Sequence, residues 1–281
     1  MKLLRFGEQG HEKPGVLLNG IRKDCSAYFT DWNHAFFQNN GLTNLADLLK
    51  TKGDALPNVS ENERTASCIA RPSMIMCIGL NYFDHAAEAG MEVPKEPLIF
   101  GKLANTICGA YDNVPIPKCS EKTDWEVELG IILGKDALYL NSEEEAEDHI
   151  AGYCVVNDLS ERAFQLERGG QWIKGKSCPN FCPTGPYLVT KDEIKDVLNL
   201  NMHLSVNGVQ KQNGNTKTMV FSPNHIVYYM SQFMKLEAGD LISSGTPFGV
   251  GLGFKPPQYL SAGDVVELSI DGLGSQKQLY I

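Results

Sequence analysis

The stretch Thr123-Asp-Trp-Glu-Val-Glu-Leu-Gly130 runs directly into Ile131-Ile-Leu-Gly134. Alternate side chains of a β-strand share a face. Trp125, Val127, Leu129 and Ile131 are therefore expected to point into a core. Glu126 and Glu128 then lie together on the opposite face, where Gly130 leaves the side open. Two carboxylates about 6 Å apart repel by roughly 2–3 kcal/mol at an effective dielectric near 20. A solvated sheet face tolerates such a pair, because exposed acidic residues are ordinary. A bound cation is the alternative reading, and it needs a further ligand from elsewhere in the chain.

Asp158 is the candidate for that ligand. It closes the apolar run Tyr153-Cys-Val-Val156 at a predicted strand end. Three carboxylates without a histidine or thiol suit a hard cation, Mg2+ first, with Mn2+ and Ca2+ as alternatives. Upstream, Cys77-Ile-Gly-Leu-Asn-Tyr-Phe-Asp-His-Ala-Ala-Glu-Ala-Gly90 sets His85 and Glu88 three residues apart on a predicted short helix. That spacing puts both on one face. A carboxylate fixes the imidazole tautomer and raises its basicity, which makes a general base for water. An ordinary surface His–Glu pair has the same spacing. The buried strand predicted just before it favours a site-facing position, since catalytic groups concentrate on strand-end loops.

The rest of the chain reads as a β-rich α+β protein. Residues 1–70 are expected to form a small N-terminal α/β domain. It has strands at Lys2-Leu-Leu-Arg-Phe6 and Gly15–Ile21, an Asn19-Gly20 turn, and a helix over 42–49 closed by Gly53. Residues 71–281 are expected to form the main domain, with strand after strand separated by Gly, Pro and Asn. Two helices interrupt them. One carries a Ser142…Glu145 capping box, and the other has Ser222 as N-cap with Pro223 at the first helical position. Gly249-Val-Gly-Leu-Gly253 resembles a dinucleotide loop, but Lys255-Pro-Pro257 cannot open the helix such a loop requires.

Composition narrows the function classes. The net charge is −9 without a basic run, which argues against nucleic acid or anionic membranes as partners. No apolar stretch reaches transmembrane length, and the opening residues lack a signal-peptide pattern. A cytoplasmic location with eight reduced cysteines is the expectation; Cys178 and Cys182 alone are close enough to suggest zinc or a disulfide.

Taken together, these motifs resemble the fumarylacetoacetate hydrolase family. The resemblance rests on Gly79-Leu-Asn-Tyr82…His85…Glu88, Asp124-Trp-Glu126-Val-Glu128, Asn157-Asp158-Leu-Ser160-x-Arg162, Gly175-Lys176-Ser177 and Ser244-Gly-Thr246-Pro247. It implies a mixed β-sandwich roll for the catalytic domain, a homodimer or higher homo-oligomer, and a divalent metal held by Glu126, Glu128 and Asp158. It also implies His85, Glu88 and Lys176 as catalytic residues, with Tyr82, Arg162, Gln165 and Thr246 at the substrate. The implied reaction is hydrolysis of a carbon–carbon bond in a small-molecule 2,4-diketo acid. Members acting on 2,4-diketo-3-deoxy-L-rhamnonate, giving pyruvate and lactate, are the most similar. Alternatives are oxaloacetate decarboxylation or a related lyase or tautomerase step, and a catalytically inactive binding or structural homologue. Two departures stand out. Pro179-Asn180 is expected to reshape the loop that carries Lys176, and Phe248 to add bulk near the pocket.

Overall fold

The Val127–Leu133 strand lies inside a nine-stranded sheet in the computed structural model, which describes residues 1–281. The strand order is Ile21–Asp24, Lys13–Leu18, Lys2–Phe6, Leu188–Thr190, Ile150–Asn157, Val127–Leu133, Leu241–Ser243, Ile75–Gly79 and Leu98–Lys102. Neighbours run antiparallel except Leu241–Ser243 and Ile75–Gly79, which are parallel. Every residue of the 127–133 and 150–157 strands is buried. Strands buried along their whole length occur where both faces of a sheet are covered.

Each face has its own core. On one, Val127, Leu129, Ile131 and Val155 pack with Met202, Leu204, Val266 and Leu268. Those four belong to a separate antiparallel sheet ordered Val209–Asn215, Asn201–Val206, Val265–Ile270 and Gly274–Leu279. The helix Pro223–Ser231 adds Ile226, Val227 and Met230 to this core. It starts where the sequence predicts: the His225 N–H donates to Ser222 Oγ at 3.1 Å, and Pro223 loses nothing at N1. Ser142 caps Glu143–His149 in the same way.

On the other face, Ile132, Cys154, Val156 and Leu241 pack with Leu3, Val16, Trp32, Phe36 and Leu45. This face corrects the reading of Gly130 as an opening. A Cβ there would lie 2.7 Å from both Cys154 Sγ and Val156 Cγ2. The glycine is a close-packing position, and the glutamates beside it lie at the buried end of a covered face.

In the N-terminal segment the strand expected over Gly15–Ile21 is broken by Asn19 and Gly20, both at positive φ, into a hairpin of Lys13–Leu18 and Ile21–Asp24, and the expected helix runs over Gly41–Lys52. The segment's first strand pairs Leu3 with Leu188 and so continues the large sheet. Strands and core residues from both sides of the boundary expected near residue 70 thus share one sheet and one core. The pairing also covers an edge that would otherwise present unpaired backbone groups. All eight cysteines are free thiols, and only Cys119 is exposed. No helix is long and apolar enough to cross a membrane.

Candidate active site

The three carboxylates predicted from the sequence converge. Ligand oxygens of Glu126, Glu128 and Asp158 lie within 4.8 Å of one another, and all three residues are buried. The 127–133 and 150–157 strands bring them together by pairing Val127 with Asn157, one residue from each end of the cluster.

Buried carboxylates need partners. Lys176 Nζ bridges Glu126 Oε2 and Asp158 Oδ2, each at 2.6 Å. Arg162 donates through Nη2 to Glu126 Oε1 at 2.6 Å, through Nε to Asp124 Oδ2 at 2.8 Å, and through Nη1 to Gln165 Oε1 at 3.0 Å. Lys102 Nζ, with a fully buried side chain, reaches Asp158 Oδ1 at 2.6 Å and the Leu159 carbonyl at 3.0 Å. Glu126 and Asp158 thus have two cationic partners each. Glu128 has none: its donors are Ser243 Oγ at 2.6 Å and the Gly245 N–H at 2.8 Å, both on Oε2.

The electrostatics follow from that asymmetry. Burial works against a charged Glu126, but Lys176 and Arg162 outweigh it and hold the carboxyl at about 2. Burial, then Asp158 and Glu126, push Glu128 well above the usual carboxylate range. Burial opposes the Lys176 ammonium, yet Asp158 and Glu126 keep it above the ordinary lysine range. An oxygen-only donor set with one carboxylate lacking a cation fits a hard divalent ion. Glu128, beside Glu126 and Asp158, is the residue that gains most from one.

His85 and Glu88 lie on the helix Phe83–Ala89, which ends at left-handed Gly90. His85 Nδ1 is 3.0 Å from Glu88 Oε2. The carboxylate accepts, so Nδ1 carries the proton and Nε2 is left as the basic nitrogen. Glu88 Oε1 accepts from the Gly249 N–H at 2.8 Å, which fixes the carboxylate from behind. The Gly249–Gly253 segment therefore has a structural task, not a nucleotide-binding one. Its Gly251 and Leu252 N–H groups bind Asp124 at 2.6 and 3.1 Å. Gly253 passes so close to Glu88 that a Cβ would sit 2.4 Å from the carboxylate.

A cleft of about 70 Å³ brings His85, Glu126, Glu128, Arg162, Lys176 and Thr246 together, with Gln165 also on its wall. Thr246 is pinned by donating to the Val127 carbonyl at 2.9 Å. Tyr82 is the exception among the expected substrate contacts. Its ring is wholly buried, and its hydroxyl points at Met202 Sδ, 3.1 Å away. As the N-cap of the 83–89 helix it turns inward and serves the core. The two departures have less effect at the site than expected. Lys176 reaches its carboxylates from the helix turn Ile173–Lys176 before Pro179 begins, and Phe248 is 42% exposed and outside the cleft wall.

Sequence reasoning missed three contributors. Lys102 stands in the apolar strand Leu98–Lys102, and a lysine ending such a strand is a signal that a buried partner waits for it. Asp124, one residue before Trp125, anchors Arg162 from a fully buried position. Trp172 and Phe100 form an aromatic wall, with ring centroids 5.1 Å apart and the Lys176 ammonium 5.0 Å from the Phe100 ring. No spacing pattern in the sequence announces that wall.

Residues 74–279 match the model of the fumarylacetoacetate (FAA) hydrolase C-terminal family. The chain belongs to that family. A protein of Burkholderia ambifaria that is named a hydrolase without a stated substrate is 52% identical over 280 residues, spanning 99% of this chain and 98% of its own. A fumarylacetoacetate hydrolase from Exiguobacterium antarcticum superposes with a TM-score of 0.85 at 33% identity, covering 100% of this chain and 99% of the other. A 2-hydroxyhepta-2,4-diene-1,7-dioate isomerase from Mycobacterium marinum does so with a TM-score of 0.76 at 26% identity, covering 100% and 98%. The family thus spans hydrolase and isomerase chemistry on one fold.

Proposed function

We propose that the protein hydrolyses the carbon–carbon bond of a 2,4-diketo acid in a divalent-metal-dependent reaction. The observation that supports this reading is the meeting of two groups at one cleft: a buried three-carboxylate cluster, of which Glu126 and Glu128 line the wall, and a histidine whose tautomer is set by Glu88. Glu126, Glu128 and Asp158 would hold the ion, Mg2+ first, with Mn2+ or Ca2+ as substitutes. When bound, it supplies Lewis-acid stabilisation of charge on the substrate's 2-oxo group.

The chain's own residues account for the remaining steps. His85 Nε2 takes a proton from water, whose oxygen bonds to C4 of the substrate. The C3–C4 bond breaks, and its electron pair leaves on the pyruvate fragment as an enolate. Lys176 and Arg162 add positive field on that side of the cleft. The proton held by His85 returns to C3. Written out, R–CO–CH2–CO–COO⁻ and water give R–COO⁻, CH3–CO–COO⁻ and one proton. General-base catalysis of this kind contributes about 10²–10⁴-fold.

The first substrate suggested by the sequence motifs is 2,4-diketo-3-deoxy-L-rhamnonate or a related sugar acid, with pyruvate and a hydroxy acid such as lactate as products. We place the enzyme in the cytoplasm as a homodimer or higher homo-oligomer. A second reading is decarboxylation of oxaloacetate, or a tautomerase step, since the same cluster can support the pyruvate enolate; the similarity to an isomerase structure favours keeping it. An inactive binding or structural homologue is disfavoured by the intact acid–base pair. Pyruvate release from a panel of diketo acids, with EDTA and with added Mg2+, tests the proposal. Metal-dependent release supports it; no release from any diketo acid by metal-loaded protein refutes it.

A further inference from the structure

The catalytic cleft is small, but a much larger chamber lies beside it. That outer chamber holds about 500 Å³, in the range of sites that take whole small-molecule ligands. Leu80, His85, Arg162, Gln165 and Trp172 line both spaces, so the two adjoin along that wall. Nine of the sixteen outer lining residues are hydrophobic, among them Met91, Leu98, Leu166, Val250, Leu252 and Phe254.

The charged groups found only in the outer chamber are Glu88 and Lys255. Both oxygens of Glu88 are already engaged, by His85 and by the Gly249 N–H. Lys255 is exposed at the rim. The walls therefore offer few free polar side chains to satisfy the hydroxyls of a sugar chain. A buried hydroxyl left without a partner costs binding energy, whereas an alkyl or aryl group gains it. A hydroxyethyl group, the tail of the deoxyrhamnonate substrate, is also far smaller than the space provided.

We infer that the outer chamber is an acyl-tail subsite, and that the protein prefers 2,4-diketo acids carrying an extended apolar acyl group over short or hydroxylated ones. This rests on the diketo-acid reading of the cleft. The pyruvoyl end sits with the carboxylate cluster, and the acyl carbons beyond C4 run past Trp172 between Leu166 and Leu252. The acyl group leaves as a fatty or aromatic carboxylate, so the reaction supplying the substrate must join an apolar acyl unit to a pyruvate carbon.

Two measurements test this. The first is kcat/KM across acetyl-, butanoyl-, hexanoyl- and benzoylpyruvate with Mg2+ present. It should rise about fourfold per buried methylene until the chamber is filled. The second is independent of turnover: calorimetric Kd for pyruvate, 2-oxohexanoate and 2-oxooctanoate on the metal-loaded protein should tighten along the series. Leu166→Glu and Leu252→Glu, both at exposed positions that folding tolerates, should cut kcat/KM for hexanoylpyruvate at least tenfold more than for acetylpyruvate. Turnover with a flat or falling chain-length series overturns the subsite and leaves the diketo-acid reading intact. No turnover with tightening Kd removes that reading and keeps the subsite. A flat Kd series, with Met91→Glu splitting an oligomer, assigns the apolar wall to contact with a second copy and overturns the inference.

Discussion

Replacing Lys102 with methionine isolates the least visible member of the cluster. Its ammonium, fully buried, sits 2.6 Å from Asp158 Oδ1. At that separation and an effective dielectric near 20, the direct attraction is about 6 kcal/mol. Removing one buried partner of such a pair typically costs about 3–5 kcal/mol, because the other charge stays buried with less compensation. Asp158 keeps Lys176, so the lower half of that range is expected. In a chain of this size each kcal/mol moves Tm by about 2–4 °C. Lys102→Met should therefore lower Tm by roughly 6–16 °C when measured by calorimetry with chelator present. The same change strips one positive charge from the carboxylates, so saturating Mg2+ should raise the variant's Tm more than that of the parent protein. A Tm within about 2 °C of the parent in chelator would refute the reasoning, since a loss that small is typical of an exposed pair.

Other outcomes follow from the same geometry. Gly253→Ala should drive its Cβ into the Glu88 carboxylate, 2.4 Å away, and lower kcat for diketo-acid hydrolysis while leaving divalent-ion affinity unchanged, as calorimetry with Mn2+ can report. His85→Ala should cost hydrolysis about 10²–10⁴-fold, and oxaloacetate decarboxylation, assayed in parallel, much less; equal losses would count against an activated water. Glu126 is held at about 2 against an ordinary 4.5, so its contribution to stability is complete above about pH 4.5 and disappears as pH falls through 2. Glu126→Gln should therefore flatten the stability–pH slope of the chelated protein across that window, in urea titrations at fixed pH. Glu128→Gln should abolish Mn2+ binding, read by calorimetry, without loss of fold, because glutamine keeps the size and an acceptor oxygen for Ser243 Oγ and the Gly245 N–H.

Much of the site could be read from spacing alone. Strand periodicity put Glu126 and Glu128 side by side, and helical periodicity put His85 beside Glu88. Both are local rules, and both held. Its place at the end of the apolar run made Asp158 a candidate, but its meeting with the glutamates depends on the register that pairs Val127 with Asn157, which spacing cannot give. Tyr82 went astray because a motif position says nothing about which way a helix N-cap turns its ring. Gly130 misled for a related reason: a missing side chain looks like open space in a sequence, whereas Cys154 and Val156 fill it. The first seventy residues looked self-contained because their hairpin and helix are local. The pairing of Leu3 with Leu188 spans 185 positions and leaves no trace in either segment.

The Gly249–Gly253 loop separates two kinds of work along one short path. Its N–H groups brace Glu88 and Asp124, and through Asp124 they reach Arg162 and Glu126. Its side chain at Leu252 faces the outer chamber. Every residue other than proline carries the same backbone donor, so Leu252 is free to vary while the brace persists. Selection acting on such a loop can retune which molecules are admitted and leave the bond-breaking groups undisturbed, which gives one catalytic frame a ready route to many diets.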